Sequence, residues 1–592
     1  MNNHLFNSPV RSSAFVQKIT RIIASFSYIE RIAFFLFVWI FAIGSLVLLW
    51  NINKAFLIEI PADGGSLTEG IIGAPRFINP LLAISDADRD LTILTYSGLL
   101  RATALGTLVP DLAQEYSISD DGLTYTFVLR DNIFFHDGTP ITADDVVFTV
   151  TKAQDSVLKS PKRANWDGVV VEKESDKVVI FRLKQAYAPF LENTTLGILP
   201  KHIWEKADPE QFSFSQFNIT PVGSGPYTVD NIERDSSGIP ASYDLRAFKK
   251  YAQGKPYITE LHIRFYANEE ELTNAFKEGE IESINAISPK TAEALKEKGY
   301  RIERSSLPRI FGVFFNQNQA SLFTDLTVRK ALSVAVDKER IIDEVLSGYG
   351  TPIDSPIPPG SIGYTAPDSR KTLAEVEAES SPETPGRVAE ARAILERNGW
   401  TFNEEKGVME KKTKTGTTEL AFALSTSDVP ELKETGELVK KQWEAIGARV
   451  DLKVFGTGDL NQNVIRPRKY DALLFGEIVG RDSDLFSFWH SSQRNDPGLN
   501  VALYANITAD KLLEEARTIS DTDERIKKYQ EFKKEIARDI PAVFIYAPDF
   551  IYVLPEKIQG ITVGPVKTPS ERFLNIPLWF IETDHIWKFF VK

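Results

Sequence analysis

Nineteen consecutive residues, Ile32–Trp50 (IAFFLFVWIFAIGSLVLLW), contain no charged side chain. As a helix rising about 1.5 Å per residue they reach roughly 30 Å, one hydrocarbon thickness. No other feature constrains the chain as much, because the backbone of such a run must satisfy its own polar groups and its side chains must leave water. Signal-peptide cores are shorter, about 7–15 residues, and end in a small-residue cleavage site. Here the exit reads WNINKAFLIEIPADGG and has no A-x-A. An uncleaved transmembrane anchor over 32–52 is the expectation, ahead of a cleaved signal or a buried core helix. Arg11, Lys18, Arg21 and Arg31 precede the run, with Glu30 as the opposing charge. The positive-inside rule then makes 1–31 a cytoplasmic segment of a single-pass cell-membrane protein with an extracytoplasmic body. Trp50 falls where an interfacial aromatic belt would sit.

The charge balance narrows the partners. The chain carries −13 overall and its first 31 residues +3, so the remainder carries −16. An acidic body of that size repels phosphate backbones, and no nucleic-acid partner is expected. With no cysteine there is no disulfide framework, thiol nucleophile, Cys-ligated metal or lipoprotein anchor. The six histidines (His4, His136, His202, His262, His490, His585) are scattered. No metal and no cofactor are expected.

The 592 residues leave room for several domains. After a short IPADGG spacer, strand and helix patterns alternate. SDDGLTYTFVL is a turn and a strand, with Tyr125, Phe127 and Leu129 on one face. Thr142 and Asp145 have the spacing of a capping box. LTVRKALSVAVDKERIIDEVLSG has helical periodicity through Val328, Ala331, Leu332, Ala335 and Val336 and a stop near Gly348. Helices over 387–398 and 431–445, and strands ELAFALS, RVDLKVF and YDALLFG (470–476), follow. This alternation favours a parallel sheet covered by helices. The stretch 365–386 is polar and proline-punctuated, a loop or surface insertion.

No P-loop, G-x-S-x-G elbow or H-E-x-x-H occurs. PVGSGPY (221–227) lacks the lysine of a phosphate cradle and reads as a tight crossing between lobes. GRDSDLFSFWHSS (480–492) is more informative. Asp482 and Asp484 form a D-x-D that could hold a divalent cation. The aromatics Phe486, Phe488 and Trp489 that follow suit the wall of an organic-ligand pocket, or plain core.

Together, several stretches resemble the family 5 extracellular solute-binding proteins of ABC importers, which include oligopeptide- and dipeptide-binding proteins. They are GSLTEGIIGAPRFINPLLAISDADRDLTILTYSGLL, LVPDLAQEYSISDDGLTYTFVLRDNIFFHDGTPITADDVVFTV, PVGSGPYTV, FGVFFNQNQASLFTDLTVRKALSVAVDKERII and YDALLFGEIVGRDSDLFSFW, in the family's order across about 65–555. The resemblance implies an α/β, two-lobed periplasmic-binding-protein type II fold with an extra inserted domain. Domain I would comprise 65–108, 223–308 and 546–592, domain II 109–222, and domain III 309–545. The ligand would lie between domains I and III, and the lobes would close on it.

The resemblance also implies a monomeric, non-enzymatic receptor that passes peptides to an ABC permease with its own ATPase. By the same likeness Ser85, Asp86, Phe314 and Asn316 would line the cleft, with Arg481, Asp482, Asp484, Phe486 and Trp489 from the later loop. Where peptide-binding relatives place an aspartate for the α-amino group, this chain has Gly480 or Arg481. Asp482 or Asp484 would substitute, or Arg481 would prefer an anionic group. Other readings are a different solute (an oligosaccharide or a metal chelate), a sensor on the same fold, and a membrane-anchored metal-dependent enzyme using Asp482 and Asp484.

Overall fold

The computed structural model describes residues 14–365, 386–413, 416–480 and 484–590. The predicted insertion at 365–386 lies almost wholly outside them, as do Arg481 and Asp482. Two compact units separate: the chain up to Ala62 with Glu582 onward, and the body Asp63–Ile581.

In the first unit, the helix Tyr28–Phe56 contains the uncharged run. Ser27 caps it, accepting from the Glu30 amide while the Glu30 carboxylate accepts from the Ser27 amide. None of its residues is buried within the molecule. Strand Leu57–Pro61 follows directly and pairs antiparallel with Thr583–Trp587.

The body is built, among its described residues, around a twelve-stranded mixed sheet. The thirteen-residue strand Ala542–Leu554 joins its two halves. Its first part pairs antiparallel with Arg309–Phe315, and its second with Arg301–Ser306 and Ser283–Asn285. Parallel ladders run between Ala421–Ser427 and both Arg449–Phe455 and Ala472–Ile478, and between Ser66–Ile72 and both Glu260–Tyr266 and Ser283–Asn285. The alternation of strands and helices predicted a parallel sheet. Antiparallel pairing makes it mixed: strand 542–554, supplied from far along the chain, runs antiparallel to its neighbours, as do Arg309–Phe315 against Ala472–Ile478 and Pro240–Ala247 against both Tyr227–Arg234 and Glu260–Tyr266.

Strand 309–315 shows why its sequence is almost continuously apolar. Val313 and Phe315 enter one core with Trp443 and Leu474, while Ile310 and Phe314 enter another with Trp489, Leu473 and Phe544. Helices cover both faces, so both faces must be apolar. Each large side chain so buried contributes about 1.5–3 kcal/mol.

A four-stranded antiparallel sheet is separate in the strand order and runs Ala113–Ile118, Thr124–Leu129, Val178–Arg182, Val170–Ser175. Its core gathers Tyr125, Phe127 and Leu129, the face expected, with Trp166, Phe181 and Phe190. Helix Ala143–Gln154 starts at the predicted Thr142–Asp145 capping box. The predicted helix over 326–348 is instead two, Leu326–Ala335 and Lys338–Leu346. Val336 is extended, and Asp337 starts the second helix by accepting from the Arg340 amide at 3.1 Å.

A fully buried ion cluster ties three distant segments. Arg572 donates from Nη1 and Nη2 to the two oxygens of Asp90 at 2.9 and 2.7 Å, and from Nε to Glu69 at 3.0 Å. Glu69 also accepts from Tyr552 at 2.6 Å, from Asn285 at 3.3 Å and from Ser283. Burial holds the Asp90 carboxyl up at about 6, against the lowering pull of Arg572.

Candidate functional site

A cavity of about 470 Å³ opens within the body. Segments from several parts of the chain line it, and Pro226 and Tyr251 are among the lining residues. Tyr96, Arg101 and Asp111 come from one, and Lys162, Trp166, Tyr187 and Glu192 from a second. Ile478, Val479, Gly480 and Asp484 form a third, and Lys567, Glu571 and Phe573 a fourth.

Strand Ala472–Ile478 delivers the third segment. Pairing of Arg309 with Ile478 fixes its end, and Gly480, at φ +81°, turns the chain where an L side chain would be strained. Ser361 Oγ donates to the Gly480 carbonyl at 3.1 Å.

Asp484 is the best-placed charged group. Its Oδ2 accepts from Arg517 Nη2 at 3.1 Å and from the Tyr187 hydroxyl at 3.3 Å. Its buried Oδ1 has no hydrogen-bond partner among the described residues, and neither has Arg517 Nε. The Arg517 guanidinium lies over the rings of Phe486 (4.4 Å) and Tyr187 (5.3 Å). Burial and the Asp484 charge push the Tyr187 hydroxyl pKa up, so this phenol donates rather than ionises.

Elsewhere in the lining the cations gather. Burial lowers the Lys162 pKa, and neighbouring Lys567 and Arg89 lower it further. Lys567 Nζ is 3.3 Å from Glu192 Oε2. Asp111 is buried, accepts from Gln253 at 3.2 Å, and is pushed up to about 6 by burial despite Arg101. Among the described residues, four cations (Arg89, Arg101, Lys162, Lys567) and four carboxylates (Asp111, Glu192, Asp484, Glu571) line the cavity. Such a wall suits a ligand carrying both signs of charge.

The glycine-rich PVGSGPY packs close by. A Cβ on Gly223 would sit 1.8 Å from the Thr95 carbonyl oxygen, so only glycine fits. His136 Nε2 donates to the Gly225 carbonyl at 3.1 Å while Nδ1 accepts from the Gly223 amide at 3.3 Å. That pattern needs the neutral ring, and burial lowers the His136 pKa to about 4.

Of the residues expected at a site, Asp484 lines this cavity. Phe486 is half-buried beside it, stacked on His490 at 4.0 Å and beneath Arg517. Phe314 and Trp489 sit in the core, both fully buried, 6.1 Å apart. They present no surface to a solute in this conformation. Asn316 is likewise buried, donating to the Arg468 carbonyl at 2.9 Å and accepting from the amides of Asn318 and Gln319. Ser85 caps the helix Asp86–Thr95, and Asp86 pairs with the lining residue Arg89 at 3.1 Å, but neither Ser85 nor Asp86 lines the cavity itself. Arg481 and Asp482 fall outside the described residues, and among those described no group of three His, Asp or Glu side chains gathers as metal ligands.

Sequence reasoning missed Tyr187, Arg517, Lys162 and Lys567. No local signal marks them, since Tyr187 and Asp484 lie 297 positions apart.

The family model for bacterial extracellular solute-binding proteins, family 5 Middle, matches residues 107–498. The chain is 28% identical to the oligopeptide-binding protein AppA of Bacillus subtilis (strain 168) over 528 residues, 88% of this chain and 92% of AppA. The structure of AppA in complex with a nonapeptide matches with a TM-score of 0.64 at 27% identity, covering 88% of this chain and 100% of that one. CtaP of Listeria monocytogenes, an ABC transporter substrate-binding protein, matches with a TM-score of 0.71 at 27% identity over 88% of this chain and 99% of CtaP. NikZ of Campylobacter jejuni, in complex with Ni(L-His), matches with 0.66 at 26% identity over 88% and 100%. The chain therefore belongs to the bacterial extracellular solute-binding proteins, family 5, whose members are binding proteins and not enzymes.

Proposed function

We propose that this protein is a membrane-anchored extracytoplasmic receptor that captures peptides in the cavity and delivers them to an ABC permease powered by a partner ATPase. The observation that carries the peptide reading is the mixed-charge lining. Asp484, with its free buried Oδ1, suits a peptide's α-ammonium group, and the Arg89–Lys162–Lys567 cluster suits its carboxylate. The nonapeptide bound to AppA agrees with it. The three-domain division expected from the resemblance supplies the lobes, and ligand binding selects the closed state. The anchor reading is supported by a 29-residue helix with no residue buried in the molecule. A tether keeps the receptor near its permease and raises effective concentration.

The test is thermal unfolding of the full chain in detergent with a mixed peptide library, with mass spectrometry of co-purified solute. A bound peptide at 100 times its Kd adds about 2.7 kcal/mol. No stabilisation by any peptide, together with a co-purified non-peptide solute, sinks the reading. A metal chelate is the second candidate, because NikZ holds Ni(L-His).

A further inference from the structure

The first unit contains a feature that solute binding does not use. Helix Tyr28–Phe56 passes directly into strand Leu57–Pro61, and the register sets Trp587 opposite Leu57, the first residue beyond the helix. The strand Thr583–Trp587 is thus hydrogen-bonded to the helix exit. Trp587 Nε1 donates to Asn53 Oδ1, inside the last helical turn, at 2.8 Å. The Phe56 ring lies 6.3 Å from Trp587 and 5.3 Å from Phe589. Lys588 Nζ stands 5.0 Å from the Phe56 ring, and Lys54 Nζ 5.8 Å from the Trp50 ring. Phe589 and Phe590 nevertheless stay 67% and 75% exposed.

We propose that Trp587–Phe590 is a second membrane contact: an aromatic and basic collar that seats the chain's C-terminal segment in the headgroup layer around the anchor. This rests on the reading of the helix as an anchor. Asn53 lies three residues past Trp50 and Phe56 six, which is about 4.5 and 9 Å along the helix axis. The headgroup layer is roughly 5–8 Å deep on each side of the hydrocarbon. Asn53 and Phe56, with Trp587 and Phe589 held against them, therefore fall at or near headgroup depth. Tryptophan is enriched there, and lysine reaches it by extending its charged end from an apolar stem.

Charge is sorted along the same ladder. Lys54 and Lys588 flank the helix exit, whereas Glu59 and Asp584 lie further along the paired strands. Cations toward the bilayer and carboxylates away from it suit a lipid surface. Continuity with a helix that is itself unburied favours lipid over a protein partner.

The chain has no cysteine, so single-cysteine variants take one label each. Leu46→Cys, Phe590→Cys and Phe214→Cys replace side chains that are 67%, 75% and 79% exposed and leave the packing intact. Each full-length variant is nitroxide-labelled and reconstituted in phosphatidylcholine–phosphatidylglycerol vesicles, and its collisions with oxygen and with a water-soluble nickel chelate are measured. The expected result is oxygen-rich and chelate-excluded at 46, fully aqueous at 214, and intermediate at 590, with chelate access several-fold below that at 214. If 46 is lipid-buried while 590 matches 214, the collar is overturned and the anchor stands. A label at 590 shielded from both reagents means a protein contact and overturns the collar. An aqueous label at 46 removes the anchor and the collar together.

Discussion

Two arginines in the body make the same kinds of contact, to carboxylate and tyrosine ring, and end in different states. Arg572 meets Asp90, Glu69 and the Tyr552 ring; Arg517 meets Asp484 and the Tyr187 ring. Around Arg572 the described carboxylate oxygens and guanidinium nitrogens are taken up, and the arginine side chain is 0% exposed. Around Arg517 the side chains remain 20–30% exposed, and both Asp484 Oδ1 and Arg517 Nε are left over. A closed network fixes a fold. An open one at the edge of a cavity keeps hydrogen-bonding capacity for something else, because an unmet buried acceptor is costly until a ligand meets it.

The largest expected break comes from Arg572→Met. It strands two buried carboxylates and should lower unfolding free energy by about 3–5 kcal/mol, read by denaturant unfolding of the full chain. A loss below about 1 kcal/mol, the scale of surface pairs, would erase the contrast. Asp484→Asn should do the reverse. Stability should move by about 1 kcal/mol or less for this partly exposed pair. Peptide affinity should fall about tenfold, or about 1.4 kcal/mol, read by calorimetry. An unchanged affinity would make Asp484 another structural residue.

Two further effects, of opposite sign and so partly cancelling in the parent, are in pH. Asp90 titrates at about 6 folded against 3.8 for the ordinary group. The folded chain therefore binds more protons in that window, and this stability, full below 3.8, is lost as pH rises through 6. His136 has the opposite sign. Its folded value near 4 lies below the ordinary 6.5, so its contribution is present above 6.5 and lost as pH falls toward 4. Melting measured at pH 5 and pH 7 should show Asp90→Asn removing the first dependence. His136→Gln should lose less stability than the parent on acidification. Identical pH profiles for parent and variants would place the titrations elsewhere.

Local pattern made much of the fold legible. The alternation in Thr124–Leu129 and the Thr142–Asp145 box come from neighbouring residues, and both appear where expected. The site was less legible. Phe314 and Trp489 have the composition of a pocket wall, but composition is the same for a wall and a core, and the second layer of helices buries them. Ser85 and Asn316 carry hydrogen-bonding groups that could serve a ligand. A helix start and a strand end use them first. Asp484 was readable as a charge anchor, but not its partners.

By itself the sequence determined what depends on spacing along the chain: an apolar run long enough to cross a bilayer, an acidic body without thiol chemistry, and the order of motifs that marks the family. Tertiary structure decided what depends on meetings across the chain. It brought strand 542–554 between two halves of a sheet, closed a charge network around Arg572, and left another open around Arg517. Both networks use the same residue types, and only burial and the count of partners within hydrogen-bond reach separate them.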